Sequence, residues 1–162
     1  MIEIRPLIIN DNFKDLIALS RAFFEEYEAH HKDIFKIDKL RDKDIVDYFS
    51  RWIANENGET FIAIEGEKIV GYITVYIKSQ ADYWKIKEVG NISGFMVHKA
   101  YRRKGIGRQM LAEAGLFFEK KGVKYFTAFT SVANYGALEF YEECGMTSLC
   151  TTMLGEVDKD TK

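Results

Sequence analysis

Apolar residues recur every three or four positions in two stretches of the first third of the chain. From Phe13 to about Ala29 this spacing predicts an amphipathic helix. The same spacing from about Asp42 to Asn57 predicts a second helix, which Gly58 ends. Before these two helices, the segment from Ile2 to Leu7 is predicted to form a short strand.

The middle of the chain is rich in β-branched and aromatic residues, which favour strands. Thr60 to Glu65 and Lys68 to Lys78 flank the dipeptide Gly66-Glu67, a pattern that predicts an antiparallel hairpin. A further extended segment runs from Ile86 to Val97. It is interrupted at Ser93-Gly94, and a glycine inside a strand often marks a bulge.

Helical and extended patterns alternate in the last third of the chain. The predicted elements are a helix from Ile106 that ends at Gly122, a strand over Val123 to Thr130, a helix from Asn134 to Gly145 and a strand over Met146 to Leu154. This order predicts a mixed sheet with right-handed crossovers. Because no linker or change of composition divides the sequence, we expect a single domain over residues 1–162.

Composition narrows the class of protein. The chain has 162 residues, of which 47% are hydrophobic and 30% charged, with a net charge of −2, so we expect a globular domain that does not coat nucleic acid. The longest apolar stretch, Ile69 to Ile77, is too short to cross a membrane. No secretory leader is visible, and the thiols Cys144 and Cys150 suggest reduced residues of a cytoplasmic protein.

Positive charge concentrates in one segment, Lys99 to Arg108. It carries five basic residues and no acidic one, and its Gly-x-Gly opens a predicted helix. Free N–H groups and the helix dipole favour an anion at such a turn, and glycine lets the backbone approach the ligand closely. The pattern therefore predicts a phosphate site.

Two common phosphate motifs do not match this segment. No Gly-Lys-Ser/Thr closes a Walker loop, and Met110 stands where a dinucleotide fingerprint needs its third glycine. The segment Arg102-Arg103-Lys104-Gly105-Ile106-Gly107 instead resembles the Arg/Gln-x-x-Gly-x-Gly/Ala loop of the GNAT superfamily of N-acetyltransferases. Nucleotide hydrolysis and hydride transfer are therefore disfavoured.

Two further motifs carry the same resemblance, which covers about Ile86 to Leu154. Phe95 to His98 occupies the place of the family's apolar strand end, which pairs with the pantetheine arm of coenzyme A. Asn134, Ala137, Tyr141 and Gly145 are similar to the family's Asn-x-x-Ala-x-x-x-Tyr-x-x-x-Gly helix.

The resemblance implies an α+β fold of GNAT type. Its sheet would be mixed and mostly antiparallel, with about six or seven strands, splayed central strands and about four flanking helices. It also implies acetyl-CoA as the co-substrate and a primary amine as the acceptor. The implied cofactor-binding residues are Phe95, Met96, Val97, Arg102, Arg103, Lys104, Gly105, Ile106, Gly107, Arg108, Asn134 and Tyr141.

Direct attack of an amine on a thioester needs a proton donor for the thiolate, a polarised carbonyl and a route for the amine proton. The family pattern implies Tyr141 as the acid, and the N–H of Met96 or Val97 would polarise the carbonyl. Many relatives place a carboxylate where this chain has Ser93 and Gly94. We rank Glu88 first as the base, beside a water relay or direct loss of the proton to solvent.

Two rival functions stay open at this point. The absent strand carboxylate is compatible with a non-catalytic acyl-CoA-binding module, although the presence of Tyr141 weighs against it. A small nucleic-acid binder would need stacking aromatics interleaved with the basic residues. His30 and His31 lack a third ligand at metal spacing, so no metal is expected. Family members are often dimers, but the sequence does not decide between a monomer and a homodimer.

Overall fold

The computed structural model describes residues 1–157, with five strands and four α-helices among them. In chain order they are β1 (Ile2–Pro6), α1 (Phe13–Glu28), α2 (Asp42–Ser50), β2 (Gly58–Glu65), β3 (Lys68–Ser79), β4 (Glu88–Val97), a short 3-10 helix (Lys99–Tyr101), α3 (Ile106–Lys120), β5 (Phe126–Ala128) and α4 (Tyr135–Glu143).

The strands form one sheet in the order β1-β2-β3-β4-β5. The first three pairings are antiparallel, whereas β4 and β5 pair in parallel. This confirms the predicted mixed, mostly antiparallel α+β class and the hairpin at residues 66–67. Within residues 1–157, no helix is long and apolar enough to span a bilayer.

Helices cover both faces of the sheet, and the alternation of side chains along the strands builds a core on each face. On β3, Ile73 belongs to the core shared with α3, whereas its neighbour Tyr72 belongs to the core beneath α1 and α2. Met110 of α3 and Leu16 of α1, both fully buried, anchor the two layers. The sheet is therefore an inner layer with a separate chemical environment on each side.

Strand β4 bulges and then parts from β5. Thr74 of β3 pairs with Gly94 and the next residue, Val75, pairs with Ile92, so Ser93 is left without a partner. This confirms the bulge predicted at Ser93-Gly94. Pairing between β4 and β5 ends at Ile92 and Ala128, so within the described chain residues 93–97 of β4 have no partner strand on that side. We call this unpaired edge of β4, residues 93–97, the splay.

Four sequence predictions need correction. The sheet has five strands among the described residues, where six or seven were expected. The segment Met146–Leu154 forms no strand within the described chain, and β5 spans three residues instead of the predicted eight. Helix α2 ends at Ser50, seven residues before the predicted end at Asn57. An extended apolar pattern becomes a strand only beside a partner. Residues 147–157 are exposed, including Leu149 and Met153.

Candidate functional site

The turn before α3 presents an unbroken run of free backbone donors. Within the described chain, the N–H groups of residues 103–108 have no protein acceptor; the next one, of Gln109, donates to the Gly105 carbonyl at 3.1 Å. Arg103 and Gly105 adopt positive φ values of 63° and 81°, which bend the chain into the helix. No side chain caps α3. Six N–H groups and the positive end of a 15-residue helix therefore meet at one place.

Basic side chains surround this turn. The Arg108 guanidinium lies 4.0 Å from Glu143, and the Lys104 ammonium lies 5.2 Å from the centre of the Tyr101 ring. Arg103 forms no ion pair with any residue that the structure describes. Positively charged side chains therefore lie beside the turn, where they can neutralise a bound anion whose charge the backbone N–H groups alone would not.

Arg102 differs from its basic neighbours because its guanidinium is already engaged. Nη2 donates to both carboxylate oxygens of Glu26 on α1, at 2.9 and 3.0 Å, and Nε donates to the Val97 carbonyl at 2.9 Å. The same Nη2 lies 3.4 Å from the Met96 sulfur. The Arg102 side chain therefore ties the end of α1 to the end of β4, and only its backbone faces the turn.

The register of β4 decides which backbone groups face the splay. The His98 N–H donates to the Val70 carbonyl at 2.8 Å, and Met96 pairs with Tyr72. Because alternate residues of an antiparallel strand bond to the same neighbour, the N–H and C=O groups of Met96 point at β3. Those of Phe95 and Val97 point into the splay. Sequence analysis named the N–H of Met96 or Val97 as the group that polarises the carbonyl. The Val97 N–H faces the splay and the Met96 N–H does not, whereas the Phe95 N–H also faces it.

Helix α4 brings Tyr141 against the splay. Its ring centre lies 6.4 Å from that of Phe95, and the side chain is partly buried in the core beneath α3 and α4. Burial, and to a smaller extent the neighbouring Tyr27, raises the pKa of the Tyr141 hydroxyl. The hydroxyl therefore holds its proton at neutral pH. At the start of α4, the Asn134 Oδ1 accepts the Ala137 N–H at 3.2 Å, so Asn134 is a helix cap whose amide nitrogen stays free.

The end of α1 closes one side of the splay. The Tyr27 hydroxyl accepts the Ser131 N–H at 2.8 Å, and its ring packs edge-on against Phe35. Together with the Glu26–Arg102 pair, this bond ties α1 to both sides of the splay. Tyr83 and Trp84 lie in an exposed loop, 82% and 56% accessible.

Glu88 lies away from the other predicted residues. It pairs with Ser79 at the far end of β4 and borders a surface pocket with residues 122–124. Five residues separate it from Ser93, or about 17 Å of extended chain. The structure thus does not bring Glu88 to the splay. In residues 1–157, no three His, Cys, Asp or Glu side chains are grouped to hold a metal.

The bulge carries a polar pair that sequence analysis missed. The Ser93 Oγ lies 2.6 Å from the hydroxyl of Tyr48 on α2. Tyr48 looks in the sequence like one more residue of the helix's apolar face. No local pattern links two residues 45 positions apart. The only available signal was the departure from the family pattern at Ser93.

Comparison with known proteins agrees with this geometry. Residues 17–146 match the profile of the acetyltransferase (GNAT) family. The chain belongs to the GNAT family. The turn before α3 and the splay both lie within the matched residues.

Individual relatives of this GNAT chain are distant. It is 24% identical over 139 residues to the uncharacterized N-acetyltransferase MJ1207 of Methanocaldococcus jannaschii, covering 85% of this chain and 58% of that protein. The chain thus spans less than two thirds of that curated relative's length.

Solved structures share the fold over nearly the whole chain. A tetramutant of the BH1408 protein from Bacillus halodurans aligns with a TM-score of 0.82 at 20% identity, covering 96% of this chain and 99% of that one. The protein AAC(6')-Iy, in complex with the bisubstrate analog CoA-S-monomethyl-acetylneamine, aligns with a TM-score of 0.73 at 14% identity, covering 98% and 99%.

Proposed function

We propose that this GNAT protein transfers the acetyl group of acetyl-CoA to a primary amine by direct attack of the amine on the thioester. The observation that carries the proposal is the run of six acceptor-free N–H groups leading into α3, beside a splayed strand with free backbone groups. The acceptor is a small molecule, a peptide or a protein, and we propose that transfer takes place in the cytoplasm.

The turn suits the diphosphate of coenzyme A. Backbone N–H groups at a helix N-terminus bind phosphate oxygens well, and here the groups of residues 103–108 are free together. Arg103, Lys104 and Arg108 supply side-chain charge for the ribose phosphate. Arg102 is not part of this set, because Glu26 and Val97 hold its guanidinium and its N–H donates to the Lys99 carbonyl.

The open edge of β4 suits the amide-rich pantetheine arm. An extended chain can add to a free strand edge by main-chain hydrogen bonds. Phe95 offers its N–H and C=O there and Val97 its N–H, since the Val97 carbonyl accepts from Arg102. Since the turn follows Val97, an arm held at the turn reaches Val97 first and Phe95 further in. The Phe95 N–H is therefore placed to polarise the thioester carbonyl.

Tyr141 then acts as the general acid. Its ring contacts Phe95, and its raised pKa keeps the hydroxyl protonated under working conditions. The hydroxyl donates its proton to the sulfur as the carbon–sulfur bond breaks, and it regains a proton from solvent.

Thermal melting with ligand tests the cofactor assignment. Coenzyme A at 100 times its Kd should stabilise the fold by about 2.7 kcal/mol and raise the midpoint by about 5 to 10 °C. Dephospho-coenzyme A, which lacks the ribose phosphate, should bind more weakly, and a single-stranded oligonucleotide should have no effect. A midpoint unmoved by coenzyme A contradicts the proposal.

Thiol release then separates an enzyme from a binding module. Acetyl-CoA is incubated with a panel of ethanolamine, lysine, spermidine and a peptide with a free N-terminus. We expect amine-dependent release with at least one of them. Tight binding of coenzyme A without release from any amine would instead support the non-catalytic acyl-CoA-binding module.

A further inference from the structure

The bulge changes which side chains of β4 face α2. Ile92 lies in the core shared with α3, and Phe95 packs against it, whereas Met96 lies in the core beneath α1 and α2. If side chains alternated strictly along the strand, Ile92 and Met96, four positions apart, would lie on the same face, and no two successive residues would share a face. Because Ser93 is the extra residue of the bulge, Ser93 and Gly94 both face α2. An exposed hydroxyl is thereby turned toward the helices.

Tyr48 of α2 meets this hydroxyl. The two oxygens are 2.6 Å apart, and the Ser93 Oγ also lies 3.5 Å from the Thr74 carbonyl. A Cβ on Gly94 would approach the Tyr48 hydroxyl to 2.9 Å, so only glycine admits the ring here. Burial raises the pKa of Tyr48, which keeps the phenol neutral. The pair is thus two neutral hydroxyls in contact, one of them open to solvent.

The hydroxyl pair and Tyr141 flank the reacting region from opposite faces of β4. Phe95 contacts Tyr141 on the side of α4, and Ser93 lies two residues away, about 7 Å along the strand, on the side of α2. Within residues 88–97, the strand offers no carboxylate nearer to the splay than Glu88. The carboxylate of Glu26, which lies beside the splay, is already paired with Arg102, whereas the Ser93 hydroxyl is exposed.

We infer that Ser93 is a catalytic residue that accepts the amine proton and passes its own to solvent, and that Tyr48 is the positioning residue that holds the Ser93 hydroxyl in place. This inference rests on the proposed acetyl transfer. As the nitrogen–carbon bond forms and the carbon–sulfur bond breaks, the nitrogen loses a proton to the Ser93 Oγ. Ser93 releases its own hydroxyl proton to bulk water. Tyr141 protonates the sulfur, so one proton leaves and one enters.

Steady-state kinetics on four variants tests the relay, with the panel amine that the wild type acetylates fastest. Ser93→Ala and Tyr48→Phe should each lower kcat/KM for the amine about 10- to 100-fold. The KM for acetyl-CoA and the Kd for coenzyme A should stay within twofold. Since Tyr48 acts only through Ser93, the double variant should be no slower than the slower single variant. Ser93→Thr, which keeps a hydroxyl, should recover most of the rate.

Tyr72→Phe is the matched control. Tyr72 lies on the same face, its ring also borders Gly94, and its hydroxyl interacts with Ser20 instead of Ser93. It should keep the wild-type rate.

Three outcomes overturn the inference while acetyl transfer stands: single variants within twofold of wild type, multiplicative losses in the double variant, or a loss in Tyr72→Phe as large as in Tyr48→Phe. A wild type that binds coenzyme A but acetylates no panel amine overturns the proposed transfer itself, and the relay falls with it.

Discussion

The two faces of β4 differ in how their chemistry is assembled. On the side of α3 and α4, the free N–H run, Phe95 and Tyr141 lie within about fifty consecutive residues and follow recognisable spacing. On the side of α1 and α2, Ser93 meets Tyr48 across 45 residues, and Arg102 meets Glu26 across 76. The cofactor side is built from local turns, whereas the acceptor side is built from packing between distant elements.

This difference explains why a shared family motif leaves the acceptor open. A turn that binds phosphate needs the same backbone geometry whatever amine is used. Its glycines and charged residues can therefore be recognised in the sequence. The acceptor side has to suit one amine only, and several packings of α1 and α2 on the sheet can place polar groups there. Changes in the turn before α3 should therefore affect coenzyme A binding, whereas changes on the acceptor side, and at the proton donor Tyr141, should affect turnover.

The largest effect should come from Gly105→Val. A valine rarely adopts the positive φ of 81° found at this position, so the turn must rearrange. The N–H groups of the turn would then no longer point at one place. We expect the Kd for coenzyme A, measured by calorimetry, to rise more than about 100-fold.

The matched control for that change is Gly122→Val at the other end of α3. Gly122 also has a positive φ, 72°, so the backbone strain is similar, but the site is a full helix away from the turn. If both variants lose affinity equally, strain and not the turn is responsible.

Tyr141→Phe should come next, with kcat lowered about 100-fold and the Kd for coenzyme A unchanged. The substitution removes the proton donor and keeps the ring that packs on Phe95. Single-turnover thiol release, with binding measured separately, separates these two quantities. Full turnover in the phenylalanine variant would remove Tyr141 from the mechanism.

Arg103→Gln should have an intermediate effect, weakening coenzyme A about 5- to 10-fold at low salt and less at high salt, because exposed charges are screened. Glu26→Gln is its counterpart on the other side. It leaves every cation of the turn in place and frees Arg102 from its ion pair. We expect it not to weaken binding, and titrations at two ionic strengths compare the variants. Equal losses in both would mean that the two sides are not separable.

The smallest effect concerns alkaline pH. Burial raises the pKa of Tyr141 above the ordinary value near 10, so the acid form persists as the pH rises from 7 to 10. The kcat profile should therefore show no fall from loss of this proton in that interval. A descending limb near pH 8 that disappears in Tyr141→Phe would contradict the assignment.

Particular elements show how far sequence reasoning reached. The four helices, the hairpin at residues 66–67 and the bulge at Ser93-Gly94 were predicted, since each has a local cause in periodicity or glycine placement. The strand over Met146–Leu154 was wrong because pattern alone cannot supply a partner strand. The placement of Glu88 at the far end of β4 likewise required the register with β3.

By itself, the sequence determined the local features of the cofactor side: the Gly-x-Gly, the basic residues and the Asn-to-Tyr spacing of α4 each lie within a short stretch of chain. Only the tertiary structure decided that Arg102 turns inward to Glu26, that Phe95 and Val97 face the splay, and that Tyr48 meets Ser93. Local geometry is set by the conformational preferences of neighbouring residues. Contacts between distant residues depend on how whole elements pack, which no short stretch of chain contains.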